Sequence, residues 1–188
     1  MDIIIRDAEI EDVPFLARCV MAAVGTLDLE DDTKDNPSYD TICELCAMEH
    51  SLYCWNHFRV AVDRATGKPV GSLLAYDGKR YARAREMSFS YAEEKLGIRF
   101  DDSDMETCRG EYYLDSMAVL PEYRGHRIGH ALIQDAIEQG RQDRHTRFTL
   151  IAEKDAPALQ SYYSLLGFAP EEEILFFGQP YVRMVHNV

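Results

Sequence analysis

Hydrophobic residues recur along this chain at two spacings, one typical of strands and one typical of helices. An apolar run at residues 3 to 5 predicts a first strand. A helix that ends at Gly25 is predicted next from apolar residues spaced three or four apart, Val13, Leu16, Val20 and Val24. Two strand-like runs, 58–62 and 69–76, flank a Thr66-Gly67 turn and predict an antiparallel hairpin.

The second half of the chain continues with alternating elements. Strands are predicted at 112–119 and 148–152, and a helix at 156–166 ends before Gly167. A closing strand pair, 173–177 with 181–185, surrounds a turn at 178–180. A further helix follows the strand at 112–119, with an apolar side formed by Ile128, Ala131, Leu132, Ile133, Ala136 and Ile137. The order predicts a mixed α/β fold, with one layer of sheet flanked by helices.

Residues 77 to 110 interrupt this pattern with a polar segment. It has a basic and aromatic part at 79–85 and an acidic part at 101–104. Basic residues interleaved with tyrosine can mark a phosphate or nucleic-acid patch, but a solvated helical insertion is the favoured interpretation. Because it precedes the strand at 112–119, the insertion could fold over whatever that strand presents.

Composition narrows the class of protein and its partners. A chain of 188 residues, 46% of them hydrophobic, is the usual size of one domain. Its formal net charge of -13 argues against a nucleic-acid partner, and an acidic surface tolerates cationic molecules or basic protein tails. No apolar stretch approaches the roughly 20 residues of a membrane span, and the N-terminus lacks the features of a signal peptide. We expect a cytoplasmic protein with no membrane partner.

Five cysteines, an odd number, favour reduced thiols over a disulfide framework. Several of them lie with histidines in one predicted helical stretch, 39–57, in the series Cys43, Cys46, His50, Cys54 and His57. Ligands spread over several turns of one helix cannot converge on a tetrahedral ion, so we expect no metal. No cysteine has the paired histidine of a nucleophile turn, which argues against a covalent acyl-cysteine mechanism.

The segment from 112 to 142 holds the strongest candidate for chemistry. A strand runs into a glycine-containing turn, and a helix begins at once. Backbone N–H groups and the positive end of the helix dipole then point to one place, which suits a pyrophosphate. The spacing alone is also compatible with an ordinary tight connection.

The wider stretch, LDSMAVLPEYRGHRIG at residues 114 to 129, resembles the acetyl-CoA motif of the GNAT acetyltransferases. Tyr163, followed by Gly167 and Phe168, is similar to a second element of that family, near the end of its fold. The opening residues Ile5, Arg6, Asp7 and Ala8 resemble the start of many members. The resemblance implies a GNAT-like, mostly antiparallel mixed central sheet flanked by helices, as a single acetyltransferase domain over residues 1–188 with an insertion at about 77–110.

Two positions depart from the family pattern. Arg127 occupies the first glycine position of the turn, where its side chain could crowd a phosphate or pair with it. Asp155 stands near the place of a common family asparagine, which leaves a cofactor contact from that position open.

The resemblance implies acetyl-CoA as co-substrate and an amine, small or peptidic, as acceptor. The thioester and its pantetheine arm would pair with the backbone of Met117, Ala118 and Val119. The pyrophosphate would be held at the turn by Arg124, Gly125, His126, Arg127, Ile128, Gly129 and His130. The resemblance leaves the oligomeric state open, and a homodimer is one possibility. The rival class of protein is a non-catalytic GNAT-like module that binds acyl-CoA or a protein.

An amine acceptor must lose a proton and the leaving thiolate must gain one, so a base and an acid are expected. Strand alternation predicts one shared face for Glu111, Tyr113, Asp115 and Met117. Asp115 is the first candidate for the base and Glu111 the alternative. Tyr163 is the candidate acid, in competition with Tyr162, its neighbour turned about 100° around the helix.

Overall fold

The computed structural model describes residues 2–100 and 104–188. Most of the acidic part predicted at 101–104 therefore lies outside the described residues. The strands of the described chain form one sheet of seven, β1 (Ile3–Asp7), β2 (Phe58–Asp63), β3 (Lys68–Asp77), β4 (Tyr112–Val119), β5 (Arg147–Glu153), β6 (Ala169–Phe176) and β7 (Gln179–Asn187). The helices are α1 (Val13–Ala23), α2 (Pro37–Ala47), α3 (Tyr81–Leu96), α4 (Ile128–Gln142) and α5 (Pro157–Leu165).

The strand order is β1-β2-β3-β4-β5-β7-β6, and every neighbouring pair is antiparallel except β4 with β5. The mostly antiparallel mixed sheet expected from the sequence is thus confirmed. The predicted hairpin is β2 with β3, and the predicted closing pair is β6 with β7.

Two cores lie on opposite faces of this sheet. The first contains Leu73 and Leu114 with the buried side of α4 and the end of α5. The second contains Val60 and Tyr113 with α1, α2 and the start of α3. In α4 the predicted apolar residues are buried except Ala131, which is exposed. A mixed α/β architecture therefore follows from burying both faces of one sheet.

The helix predicted over 39–57 is shorter than expected. It begins at Pro37, where the Asn36 side chain caps it by accepting hydrogen bonds from the N–H groups of Ser38 and Tyr39. It ends at Ala47, and His50 has a left-handed backbone, with φ of 67°, that no helix can contain. Polar residues that bond the backbone locally compete with helix geometry, as Ser51 does by donating to the Leu45 carbonyl.

Within the polar segment at 77–110, residues 81–96 form the helix α3, and this helix is not only a solvated insertion. The helix buries Tyr81, Ser88 and Ala92. The Ser88 hydroxyl accepts a 2.8 Å hydrogen bond from the Leu52 N–H. α3 is therefore part of the second core. None of the described helices is long and apolar enough to cross a membrane.

A glycine in α4 sets how closely that helix approaches the sheet. A Cβ built at Gly140 would lie 2.5 Å from Cε1 of Phe148 and 3.0 Å from the Tyr112 ring. We predict that Gly140→Ala lowers the free energy of unfolding by about 1–2 kcal/mol, because overpacking outweighs the gain in helix propensity. Denaturant unfolding measures the effect. Gln134→Ala, at an exposed position of the same helix, should be close to neutral, and equal stability of both variants would contradict the packing argument.

Candidate active site

β4 and β5 are neighbours for only a short distance. Among the residues that the structure describes, they pair at Tyr112 with Phe148 and at Tyr113 with Thr149, and nowhere further along. On its other edge, β4 continues to pair with β3 as far as Val119. The β5-facing edge of residues 114 to 119 is therefore left without a strand partner, and its backbone groups can bind a ligand.

An extra residue in β4 accompanies this opening. Met117 pairs with Leu73 and Leu114 pairs with Ala75, so three steps along β4 match two steps along β3. Such a bulge bends its strand and strengthens the local twist. It places Asp115 and Ser116 at the point where β4 leaves β5.

The bulge also overturns one expectation, the single face predicted for Glu111, Tyr113, Asp115 and Met117. Tyr113 packs in the core with α1 and α2, whereas Met117 packs against the core with α4. Strict alternation failed here because one added residue moves the following side chain to the other face.

The turn predicted to hold a pyrophosphate lies directly after this strand. A short 3-10 turn at Pro121–Tyr123 leads to Gly125, with φ of 78°, and α4 begins at Ile128. The N–H of Ala131 donates to the Arg127 carbonyl as the first bond of the helix ladder. The N–H groups before it belong to the helix start, where no intrahelical acceptor exists.

Arg127 adopts the left-handed backbone, with φ of 61°. The family favours glycine at this position, and the backbone shows why, since glycine reaches positive φ without steric cost. The arginine keeps the shape of the turn at the expense of local strain. Its side chain is exposed at the start of α4.

Arg124 links the turn to the strand, because its Nε donates a 3.0 Å hydrogen bond to the Val119 carbonyl. The remaining predicted turn residues, Gly125, His126 and His130, are exposed. The structure thus brings the predicted turn and the open end of β4 together.

Asp115 is partly buried at the bulge, on the side of the Tyr76 ring. The Tyr76 hydroxyl donates to its Oδ2 at 2.6 Å, and the Ser116 hydroxyl donates to its Oδ1 at 2.8 Å. Burial raises the pKa of Asp115 above its usual value, although the hydrogen bonds from Tyr76 and Ser116 oppose the rise.

Glu111, the alternative base, lies in a different environment. Arg147 donates to it through Nε at 3.0 Å, and Arg183 also forms an ion pair with it. The Thr107 hydroxyl and the Cys108 N–H donate to its second oxygen. Burial alone would raise its pKa, but the hydrogen bonds from Arg147 and Thr107 and the charge of Arg183 outweigh it, so the pKa is lowered.

Glu106 was missed by the sequence analysis. It is 5% exposed, and its carboxylate accepts hydrogen bonds from the hydroxyls of Tyr81 at 2.5 Å and Tyr113 at 2.8 Å. Burial first, and then the charge of Asp115, raise its pKa to about 8. No local signal could have found it, because its burial and its contact with Tyr81 of α3 arise only in the folded chain.

The two tyrosines of α5 have different surroundings. Tyr163 packs edge-on against Phe168, with ring centroids 6.2 Å apart, and burial raises its pKa to about 12. Tyr162 lies with its hydroxyl near Gly129, in the first turn of α4. A Cβ atom built at Gly129 would lie 3.4 Å from the Tyr162 hydroxyl and 3.4 Å from Cε of Met117. Both tyrosines therefore lie near the first core beside β4.

Asp155 is exposed in the turn between β5 and α5. It lines a cavity of about 630 Å³ together with Glu153, Lys154, Gln179, Pro180 and Tyr181. This cavity lies at the end of β5 and the start of β7.

The cysteine and histidine series does not run along one helix, because Cys54 and His57 lie beyond the end of α2. Each of the five cysteines is a free thiol. Within residues 2–100 and 104–188, no group of three or more His, Cys, Asp or Glu side chains could hold a metal ion.

The sheet thus opens at its one parallel pair among the described strands, β4 with β5, beside the start of α4. The model of the Acetyltransferase (GNAT) family matches residues 27–168, well over half of the chain. The chain therefore belongs to the GNAT family, whose members are acetyltransferases.

Solved structures agree with this assignment at the level of the fold. An N-acetyltransferase from Staphylococcus aureus Mu50 is 20% identical, with a TM-score of 0.80 over 97% of this chain and 99% of that one. Another acetyltransferase is 22% identical, with a TM-score of 0.77 over 98% and 99%. The PaiA N-acetyltransferase of Thermoplasma acidophilum, in complex with coenzyme A, is 14% identical, with a TM-score of 0.59 over the full length of both chains. No curated protein sequence matches the chain.

The backbone of Arg127 generates a testable prediction. Arg127→Gly should raise the free energy of unfolding by about 0.5–1 kcal/mol, because relief of the left-handed strain exceeds the added entropy of the unfolded chain. Arg127→Ala also removes the charge but keeps the strain, so it should give no such gain. Denaturant unfolding of both variants separates these effects, and an equal gain from alanine would refute the strain.

Proposed function

We propose that the chain is a single-domain, acetyl-CoA-dependent N-acetyltransferase that moves an acetyl group directly to an amine. The observation that carries the proposal is the open edge of β4 beside the start of α4. Members of the GNAT family are acetyltransferases, and one structural neighbour was solved in complex with coenzyme A.

The residues present fit coenzyme A in two ways. The N–H groups of residues 125 to 130 precede the first bond of the α4 ladder, so they can hold the pyrophosphate with the positive end of the helix dipole. Arg124 and Arg127 add positive charge at the same place. The backbone of Met117, Ala118 and Val119 can pair with the pantetheine arm, because β5 has diverged from that edge.

Acetyl-CoA supplies an acyl group already activated as a thioester, which an uncharged amine can take directly. We assign to Asp115 the removal of the amine proton, because it lies at the bulge and its raised pKa makes it a stronger base than a free aspartate. Glu111 is the weaker candidate, since its ion pairs with Arg147 and Arg183 hold its proton affinity low.

Tyr163 is the proposed acid that protonates the leaving thiolate. Its hydroxyl retains its proton at neutral pH, since its pKa is raised to about 12, so it can donate as charge develops on sulfur. Tyr162 is the rival, because its hydroxyl lies close to Gly129 at the start of α4. The acceptor is a small-molecule or peptide amine.

The second candidate function is a GNAT-like module that binds acyl-CoA without turnover. The observation that favours it is Arg127, an exposed side chain at the position where the family prefers glycine. Release of CoA thiol from acetyl-CoA over a panel of amines separates the two. Steady release that depends on one class of amine supports the enzyme, whereas tight binding without release in the whole panel supports the module.

Binding of the nucleotide part of CoA, which carries the pyrophosphate, can be tested without turnover. CoA should bind about 10–100-fold more tightly than pantetheine, which lacks the pyrophosphate together with the adenosine 3′-phosphate, because each hydrogen bond to a charged group contributes about 1.5–3 kcal/mol. Isothermal titration calorimetry measures both. Equal affinities would remove the role assigned to residues 124 to 130.

The choice of acid can be tested with two matched variants. Tyr163→Phe keeps the ring and removes the hydroxyl, so kcat should fall about 100-fold with little change in acetyl-CoA binding. Tyr162→Phe should leave kcat nearly unchanged. The reverse result would transfer the role to Tyr162, and full activity in both would mean that neither phenol is the acid.

A further inference from the structure

Three tyrosines on the α3 side of the sheet converge on two carboxyl groups, one buried and one partly buried. The rings of Tyr76, Tyr81 and Tyr113 lie in mutual contact, with centroids 5.8 to 6.4 Å apart. The Tyr76 hydroxyl donates to Asp115, and the hydroxyls of Tyr81 and Tyr113 donate to Glu106. One cluster, drawn from β3, α3 and β4, thus holds two acids.

The two carboxyl groups interact electrostatically. Burial raises the pKa of Glu106, and the charge of Asp115 raises it further. Other titratable and charged groups face Glu106 from the surrounding elements, namely Tyr81 and Arg85 of α3, Tyr113 of β4, Tyr76 of β3, Tyr53 and Tyr181. Arg85 and the two hydroxyl donors lower the pKa of Glu106. Burial and the charge of Asp115 raise it by more, so the pKa is raised overall.

We propose that Glu106 and Asp115 act as one proton-accepting pair, with Asp115 facing the acceptor amine and Glu106 as a positioning residue behind it, the two being linked through the contacting tyrosine rings. The inference rests on the proposed function. Two carboxylates in one poorly solvated site resist carrying two negative charges, so the pair takes up a proton readily.

The reaction requires a group that can accept a proton from the acceptor amine. An alkylammonium group holds its proton about six pH units more tightly than a free carboxylate does, so a lone aspartate is a poor acceptor for that proton. In the proposed step the ammonium group passes one proton to Asp115, the freed amine forms its bond to the acyl carbon, and the carbon–sulfur bond breaks. The electron pair leaves with sulfur, which takes a proton from the α5 tyrosine. The nitrogen loses its second proton as the amide forms, and this proton restores the phenol by way of solvent, while the carboxyl pair releases the first proton to solvent.

Glu111 provides the contrast within the same chain. It is as buried as Glu106, at 3% against 5% exposed, and it lies only five residues away. Two arginines hold Glu111 in its charged form, whereas hydroxyl groups donate to Glu106. Both carboxylates are therefore buried, but the pKa of Glu106 is raised whereas that of Glu111 is lowered.

The experiment is the pH dependence of kcat/KM in Glu106→Gln. The matched control is Glu44→Gln, at an exposed glutamate of α2 that also accepts a hydrogen bond from a tyrosine hydroxyl, that of Tyr91. In the wild type, kcat/KM should rise up to about pH 8, where the pair loses its last proton. In Glu106→Gln the rise should end at lower pH, and the plateau should fall about tenfold because Asp115 becomes a weaker base. Glu44→Gln should keep the upper limit near that of the wild type.

A second variant covers the case in which Glu106→Gln does not fold. Tyr81→Phe removes a hydroxyl that favours the charged form of Glu106, so the pH limit should move upward, opposite to the shift in Glu106→Gln. A merely structural role would not move the limit in either direction. An unchanged limit in both variants, with turnover intact, would overturn the inference and leave the proposed function standing.

Stability of the ligand-free protein gives a readout that needs no turnover. Because the pKa of Glu106 is higher folded than unfolded, the folded state binds more protons between about pH 4.5 and 8, and stability falls as pH rises through that window. Glu106→Gln should make this slope shallower, and an unchanged slope would overturn the raised proton affinity. A shallower slope without turnover of any amine would instead overturn the proposed function.

Discussion

One added residue in β4 is the constraint on which the site depends. Between Leu114 and Met117 the strand takes three steps while β3 takes two, and among the described residues β4 pairs with β5 no further than Tyr113. A continuous sheet would have used the β5-facing backbone of β4 for hydrogen bonds to its neighbour. The divergence leaves those groups available to a ligand, and it brings Asp115 to the point of separation.

The helix start beside this opening depends on two residues in the left-handed conformation, Gly125 and Arg127. They reverse the chain tightly enough for α4 to begin directly after the strand and to pack on the sheet. Gly140, further along α4, lets the helix approach Phe148 and Tyr112 closely. Turn geometry and helix packing together therefore determine where the free N–H groups point.

Three carboxylates close together in the chain differ in proton affinity because their surroundings differ. Glu111 sits between Arg147 and Arg183 and joins β5 and β7 to the start of β4, so its charge serves the fold. Glu106 and Asp115 lie among tyrosines in the second core, where burial disfavours their charged forms. Residues of the same type, within ten positions of one another, thus differ in proton affinity because their neighbours differ.

The sequence by itself determined the order of the elements, the hairpins, the strand–turn–helix at 112–142 and the resemblance to the GNAT family. These features depend on local periodicity and on turn residues, which act within a few positions. The bulge, the burial of Glu106 and its contact with Tyr81 were decided by the tertiary structure. The physical reason is that cross-strand pairing and burial bring together residues of different elements, such as Tyr81 of α3 and Glu106, and proton affinity follows from those surroundings.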